Sequence, residues 1–256
     1  MTGIAVWFWP ETFSFFRTDE TPINNENIPS PQTITLPTEE TMIESEKSAR
    51  GGSASGGKVK IPERTLIENV PFTVQAPFGE WSDPVFQNAC EEASLVMAAY
   101  WLSGKPLSKE IAKQEIIALS RFEENWLGHS IDTSAEDTLT LFRDYYNLAF
   151  GRVHTDAGIA DIQSALAAGS IVIVPADGRK LGNPHFTQPG PPRHMLVVIG
   201  YDVVAKEFIT NDPGTKHGDG YRYPENVLYD AILDYPTGDH LPIKVPRKAM
   251  IVIGKM

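Results

Sequence analysis

One cysteine, one histidine and one aspartate stand where separate elements could supply a nucleophile, its base and the partner of that base. Cys90 is the only cysteine of the 256-residue chain. It opens an apolar segment, residues 90–102, in which Ala93, Val96, Met97 and Tyr100 fall at i, i+3, i+4 and i+7, the spacing of one helical stripe. A thiol at the first turn of a helix meets unpaired N–H groups and the positive end of the macrodipole. Both favour thiolate, and the same N–H groups can stabilise an oxyanion. Glu91 and Glu92 act the other way, because nearby carboxylates raise a thiol pKa. His194 begins the apolar run HMLVVIGY (194–201), at the mouth of what reads as a buried strand. Asp212 follows the next strand, in TNDPG (210–214). If the two strands pair antiparallel about a turn centred near Val203, position 194 lies across from about position 212, and the carboxylate can fix the imidazole tautomer. Asn211 would project to the opposite face. Each residue also has a plainer reading: a buried apolar cysteine, a histidine bonded to a loop carbonyl, and a turn aspartate before Pro-Gly.

The elements that would carry these residues are legible in outline. Residues 69–75 (NVPFTVQ) read as a short opening strand, and 76–89 as a loop. The helix from Cys90 stops at Ser103-Gly104. Further helices are expected at 108–122, capped by Ser108, at 134–146, with Ser134 and Asp137 in capping spacing, and at 156–168, capped by Asp156 and closed by Gly169. The IVIV run at 171–174 suits a central strand. Residues 207–210 should pair with 194–201 as a hairpin. Residues 223–234 suggest a helix entered at Pro224, and 249–253 a closing strand. Helices first and antiparallel strands afterwards make an α+β domain.

Residues 1–16 form an apolar stub (IAVWFW at 4–9, then FSFF at 13–16), too short to span a bilayer and lacking a basic n-region. They are expected to be a remnant of an export or anchor segment, or a tail with stray aromatics. Residues 17–65, rich in Pro, Thr, Ser, Glu and Gly and ending in GGSASGG at 51–57, read as a disordered linker. The globular domain is expected over 66–256. A stalk behind an apolar stub suits a secreted or envelope-tethered protein.

The net charge of −11 argues against nucleic-acid binding and against strong binding to an anionic membrane. One cysteine precludes an internal disulfide and a multi-cysteine zinc site. His185, His194, His217, Asp212 and Asp219 share a region but show no compact ligand spacing. No phosphate-binding glycine loop and no dinucleotide fingerprint occurs. No cofactor and no metal is expected, and the chain is read as a monomer acting on a peptide or protein.

With those residues in place, the sequence resembles the papain-like cysteine peptidases. More narrowly it resembles family thirty-nine, which includes the double-glycine leader peptidases of bacteriocin transporters and stand-alone relatives. The segments that carry the likeness are VPFTVQ (70–75), CEEASLVMA (90–98), RHMLVVIGYD (193–202), ITNDPGT (209–215) and YRYPENVLYDAI (221–232). The resemblance implies a papain-like fold over roughly 66–256 and a Cys90–His194–Asp212 triad that hydrolyses peptide or amide bonds through a thioester. It also implies an oxyanion-hole glutamine. That residue is expected to be Gln75, fifteen positions before the cysteine, with Gln87, three before it, as second choice. The family commonly has Gly directly after the nucleophile, where this chain has Glu91. Two other functions fit the same residues: a binding module that kept the fold, and a transglutaminase-like acyl transferase. The loop 178–193 should line the cleft, with Trp81 and Phe78 nearby.

Overall fold

The computed structural model describes residues 61–238 and 246–254. The expected stub and all but the last five residues of the expected linker lie outside the described residues. The described fold begins slightly before the expected boundary, because Arg64–Leu66 form strand β1, antiparallel to the last part of β4 (His194–Asp202). The other elements are α1 (Pro84–Gln87), α2 (Cys90–Ser103), α3 (Lys109–Leu127), α4 (Ala135–Tyr146), β2 (Arg152–Thr155), α5 (Ile159–Ala167), β3 (Ser170–Ala176), α6 (Gly178–Leu181), β5 (Glu207–Asn211), β6 (Tyr221–Pro224), α7 (Glu225–Ala231) and β7 (Ala249–Gly254).

Among the described residues, seven antiparallel strands form one sheet in the order β2-β7-β3-β4-β5-β6, with β1 in line with β3 on the same edge of β4. Strand β3 pairs with β4 from His194 to Val198, and β1 pairs from Gly200 to Asp202. Gly200 is required there, because a Cβ would sit 2.4 Å from the Thr65 carbonyl oxygen. Both faces of the sheet are covered, so its strands are continuous apolar runs and not alternating ones. Ile171, Ile173, Met195, Val197 and Ile251 pack with α2, α3 and α4. Val172, Val174, Leu196, Val198 and Val252 pack with α5 and α7 on the other side.

The helix carrying Cys90 departs from a one-sided stripe. Every residue from Cys90 to Leu102 is buried, including Glu91, Glu92 and Ser94. It is a central helix wrapped by its neighbours, and hydrophobic periodicity says little about such a helix. Ser108 and Ser134 cap α3 and α4 as expected, their hydroxyls accepting from Ile111 and Asp137 N–H. The cap of α5 does not fall on Asp156. That residue has φ of 56° in a turn, and Gly158 is the N-cap, its N–H donating to the Asp161 carboxylate. Residues 69–75 form no strand, and the expected loop at 76–89 contains α1. Residues 221–224 extend the sheet as β6, and only 225–231 are helical. The run YRYP alternates as a strand and pairs with β5, and Pro224 then starts α7 from its own N-cap.

Candidate active site

The β4–β5 hairpin brings His194 and Asp212 together, though not in the register expected. Val197 pairs with Asn211 and Val198 with Thr210, and an irregularity between Val198 and Gly200 shifts the pairing beyond them. Extending the observed register places Asp212 opposite Leu196, two residues from His194. A displacement of two preserves the face, so the side chains still meet. His194 Nε2 lies 2.8 Å from Asp212 Oδ1. Both are fully buried, at 1% and 0% exposure.

Asp212 is held from several directions. Its Oδ1 also accepts from Gly214 N–H (2.9 Å), and its Oδ2 accepts from the Tyr223 hydroxyl (2.6 Å). Asn183 Nδ2 donates to that hydroxyl at 2.7 Å. Burial alone would push the Asp212 carboxyl up. His194, Tyr223 and the Gly214 N–H outweigh it and hold the pKa below the ordinary value. The group is therefore a carboxylate acceptor, and it engages His194 through Nε2 and leaves Nδ1 as the other ring nitrogen. Gly214 packs against the ring, where a Cβ would lie 2.9 Å from His194 Cε1. Asn211 turns away from this group, as expected. It donates to the carbonyls of Val70 and Pro71 and accepts from Gly220 N–H, pinning the 70–75 segment to the sheet.

Cys90 and His194 line one cavity of about 610 Å³, with Gln75, Gln87, Trp81 and residues 186–193 around them. The expected cleft-lining role of the Gly/Pro-rich loop is thus met by its second half. Cys90 is the first residue of α2, with Ala89 as an N-cap that contributes no side-chain bond. Of the two opposed effects read from the sequence, that of the carboxylates prevails over that of the helix terminus. Burial, then Glu91 and Asp132, push the thiol well above its ordinary pKa, and the thiol donates to Glu91 Oε2 at 3.0 Å. A helix terminus contributes a partial charge of about half an electron, and burial together with the Glu91 and Asp132 carboxyls outweighs it.

The two glutamines separate clearly. Gln75 is buried, and its Nε2 donates to the carbonyls of Phe86 (2.9 Å) and Gln87 (3.1 Å), tying its segment to the turn before the nucleophile. Its backbone N–H donates to Pro213 O, next to the carboxylate. Gln87 is exposed and donates to Trp81 O at 2.8 Å. Both line the cavity. Gln75 Nε2 spends both hydrogens on backbone carbonyls, so donating to a substrate oxygen would require releasing one of them.

A buried acidic group beneath the thiol was hidden in the sequence. Glu91 Oε1 accepts from the Tyr235 hydroxyl at 2.8 Å, and the hydroxyl oxygen of Tyr235 also lies 3.2 Å from His194 O. Glu92 accepts from Ser120 at 2.7 Å. Burial and then Asp132 push Glu91 to about 7, burial and then Glu91 push Glu92 to about 8, and burial and then Glu92 push Glu123 to about 10. Asp132 is paired with Arg193, the residue before the histidine, at 2.7 Å. Adjacent glutamates at a helix start read as ordinary surface residues complementing the dipole. Only tertiary contacts reveal that these are inside.

Cys90, at the start of a helix, and His194, bonded to Asp212 on an antiparallel sheet, line one cavity. The chain belongs to the Peptidase C39 like family, whose model matches residues 67–233. Two solved structures are similar. One is a C39-like peptidase candidate from Bacillus anthracis, with 17% identity, 76% of this chain and 99% of that chain covered, and a TM-score of 0.48. The other is xylellain, a cysteine protease from Xylella fastidiosa, with 13% identity, coverage of 81% and 92%, and a TM-score of 0.41. No curated protein matches the sequence.

Proposed function

We propose that the chain is a cysteine peptidase that cleaves peptide or amide bonds through a thioester on Cys90. His194 acts as base and Asp212 orients it. The observation that carries this reading is the His194–Asp212 bond of 2.8 Å at the wall of the cavity that Cys90 also lines. In this scheme His194 Nδ1 takes the thiol proton as Sγ attacks the substrate carbonyl. The imidazolium formed is balanced by Asp212, and its proton then goes to the departing amine. Water, activated by the same nitrogen, releases the acid and restores the thiol. The backbone N–H of Cys90, in the first turn of α2, is the donor for the oxyanion, with Gln75 as a second donor if it exchanges one carbonyl partner.

A second reading, a binding module without turnover, draws on the raised thiol and its bond to Glu91. One experiment separates the two. A peptide library is incubated with the chain and with its Cys90→Ala and His194→Ala variants, and products are read by mass spectrometry. The peptidase reading expects cleavage that falls at least about a thousandfold in either variant. Binding without cleavage by the unmodified chain would support the module.

A further inference from the structure

A second cavity of about 790 Å³ adjoins the first. Trp81, Thr187 and Gly214 line both, so a polypeptide lying across Cys90 and His194 can continue from one into the other. Phe78 and Trp81 line the second cavity and are exposed, at 52% and 42%. Lys109, Lys216, His185 and His217 also line it, the two imidazole rings tilted by 33° with centroids 4.3 Å apart. None of its lining residues is acidic, although the whole chain has a net charge of −11. The carboxylate nearest in sequence to its Phe78 wall, Glu80, is already engaged by Lys113 (2.7 Å) and by Phe78 N–H (2.9 Å). The first cavity differs in having an acidic lining residue, Asp132, paired with Arg193.

The geometry points to this second cavity as a subsite for an acidic stretch of the peptide substrate on one side of the scissile bond. Large aromatics left in solvent beside cations, on a protein of the opposite net charge, are the composition of a recognition patch. Phe78 and Trp81 offer apolar faces to one substrate side chain. Lys109 and Lys216, with the imidazole N–H groups, offer charge and donors to carboxylates, and the local positive field draws an acidic segment to a surface that otherwise repels it. The inference rests on the peptidase reading above, since it takes the occupant to be the substrate.

The test uses three peptides with one neutral core: one with a Glu-rich stretch on the amino side, one with it on the carboxyl side, and one with none. Binding to the 256-residue Cys90→Ala chain is read by fluorescence anisotropy, and kcat/KM is read on the unmodified chain. One placement of the acidic stretch should bind and react better than the neutral peptide. The advantage should shrink from about 50 to about 500 mM salt. A Lys109→Gln/Lys216→Gln double variant, altered at two exposed positions, should lose about three- to tenfold for that peptide and nothing for the neutral one. Equal behaviour of acidic and neutral peptides, or a double variant that weakens both alike, would overturn the subsite. A binding preference that the double variant removes, with no peptide cleaved by the unmodified chain, would keep the subsite and remove the peptidase reading instead.

Discussion

Replacing Glu91 with Gln isolates the effect of the carboxyl on the nucleophile. The substitution keeps the shape, so the amide oxygen can still accept from Tyr235 while the amide nitrogen faces Sγ, where Glu91 Oε2 now sits at 3.0 Å. What it removes is a charge that, at such a distance and in a partly screened interior, moves a neighbouring group by about one to three pH units. The thiolate fraction at a given pH below the thiol midpoint then rises about tenfold to a thousandfold. The effect has a sign and a window. Glu91 is pushed up to about 7, so below pH 6 it is already neutral and wild type and variant should alkylate alike. Above pH 7 the wild-type carboxylate opposes thiolate formation, and the variant should pull ahead. The assay is the second-order rate of iodoacetamide labelling of Cys90 between pH 5 and 9, with labelling of the denatured chain as reference. A rate ratio that stays at one throughout, or that is largest at low pH, would refute the placement of this charge.

Other expectations follow from the same contacts. Asp212→Asn should leave Cys90 in place but lower kcat by about ten- to ten-thousandfold, because an amide can hold the wrong tautomer, whereas Tyr223→Phe, losing one bond of 2.6 Å, should cost far less; steady-state kinetics on a peptide found to be cleaved checks both. Glu91, Glu92 and Glu123 have folded pKa values raised above the unfolded one, so their contribution to stability is complete below about pH 4.5 and is lost as pH rises through the raised values. Stability against urea should therefore fall from pH 5 to 8, by about 1.4 kcal/mol per pH unit for each carboxyl that keeps its proton only when folded, and Glu123→Gln should flatten that slope. Arg193→Ala leaves Asp132 without this ion pair beside other buried carboxyls, and should destabilise the fold by about 3–5 kcal/mol in the same titration.

Much of the catalytic half of this fold is legible in the sequence because it rests on local signals. The helix from Cys90, its stop at Gly104, and the hairpin from His194 to Asn211 are written in apolar runs and turn residues. The pairing of His194 with Asp212 survives a register error of two, since a displacement of two changes position but not face. What the sequence conceals is set by contacts between distant segments. The opposition of Glu91 and Glu92 to a thiolate is legible, but their burial under α3 and Tyr235, and the bond of the thiol to a carboxyl, are not. Asp132 and Tyr235 carry no motif, because each acts through a partner far along the chain, whereas Tyr223 lies in a segment that carries the family likeness but its bond to Asp212 is not written there. The strand β6 was hidden because YRYP precedes a true helical segment and only its pairing with β5 decides the assignment.

The most direct measurement is an acid-quenched intact-mass experiment with an activated peptide ester. The account predicts an acyl adduct that maps to Cys90, forms more slowly in His194→Ala and is absent in Cys90→Ala. Peptide cleavage that proceeds in the Cys90→Ala chain at the wild-type rate, or an adduct that maps elsewhere, would contradict it.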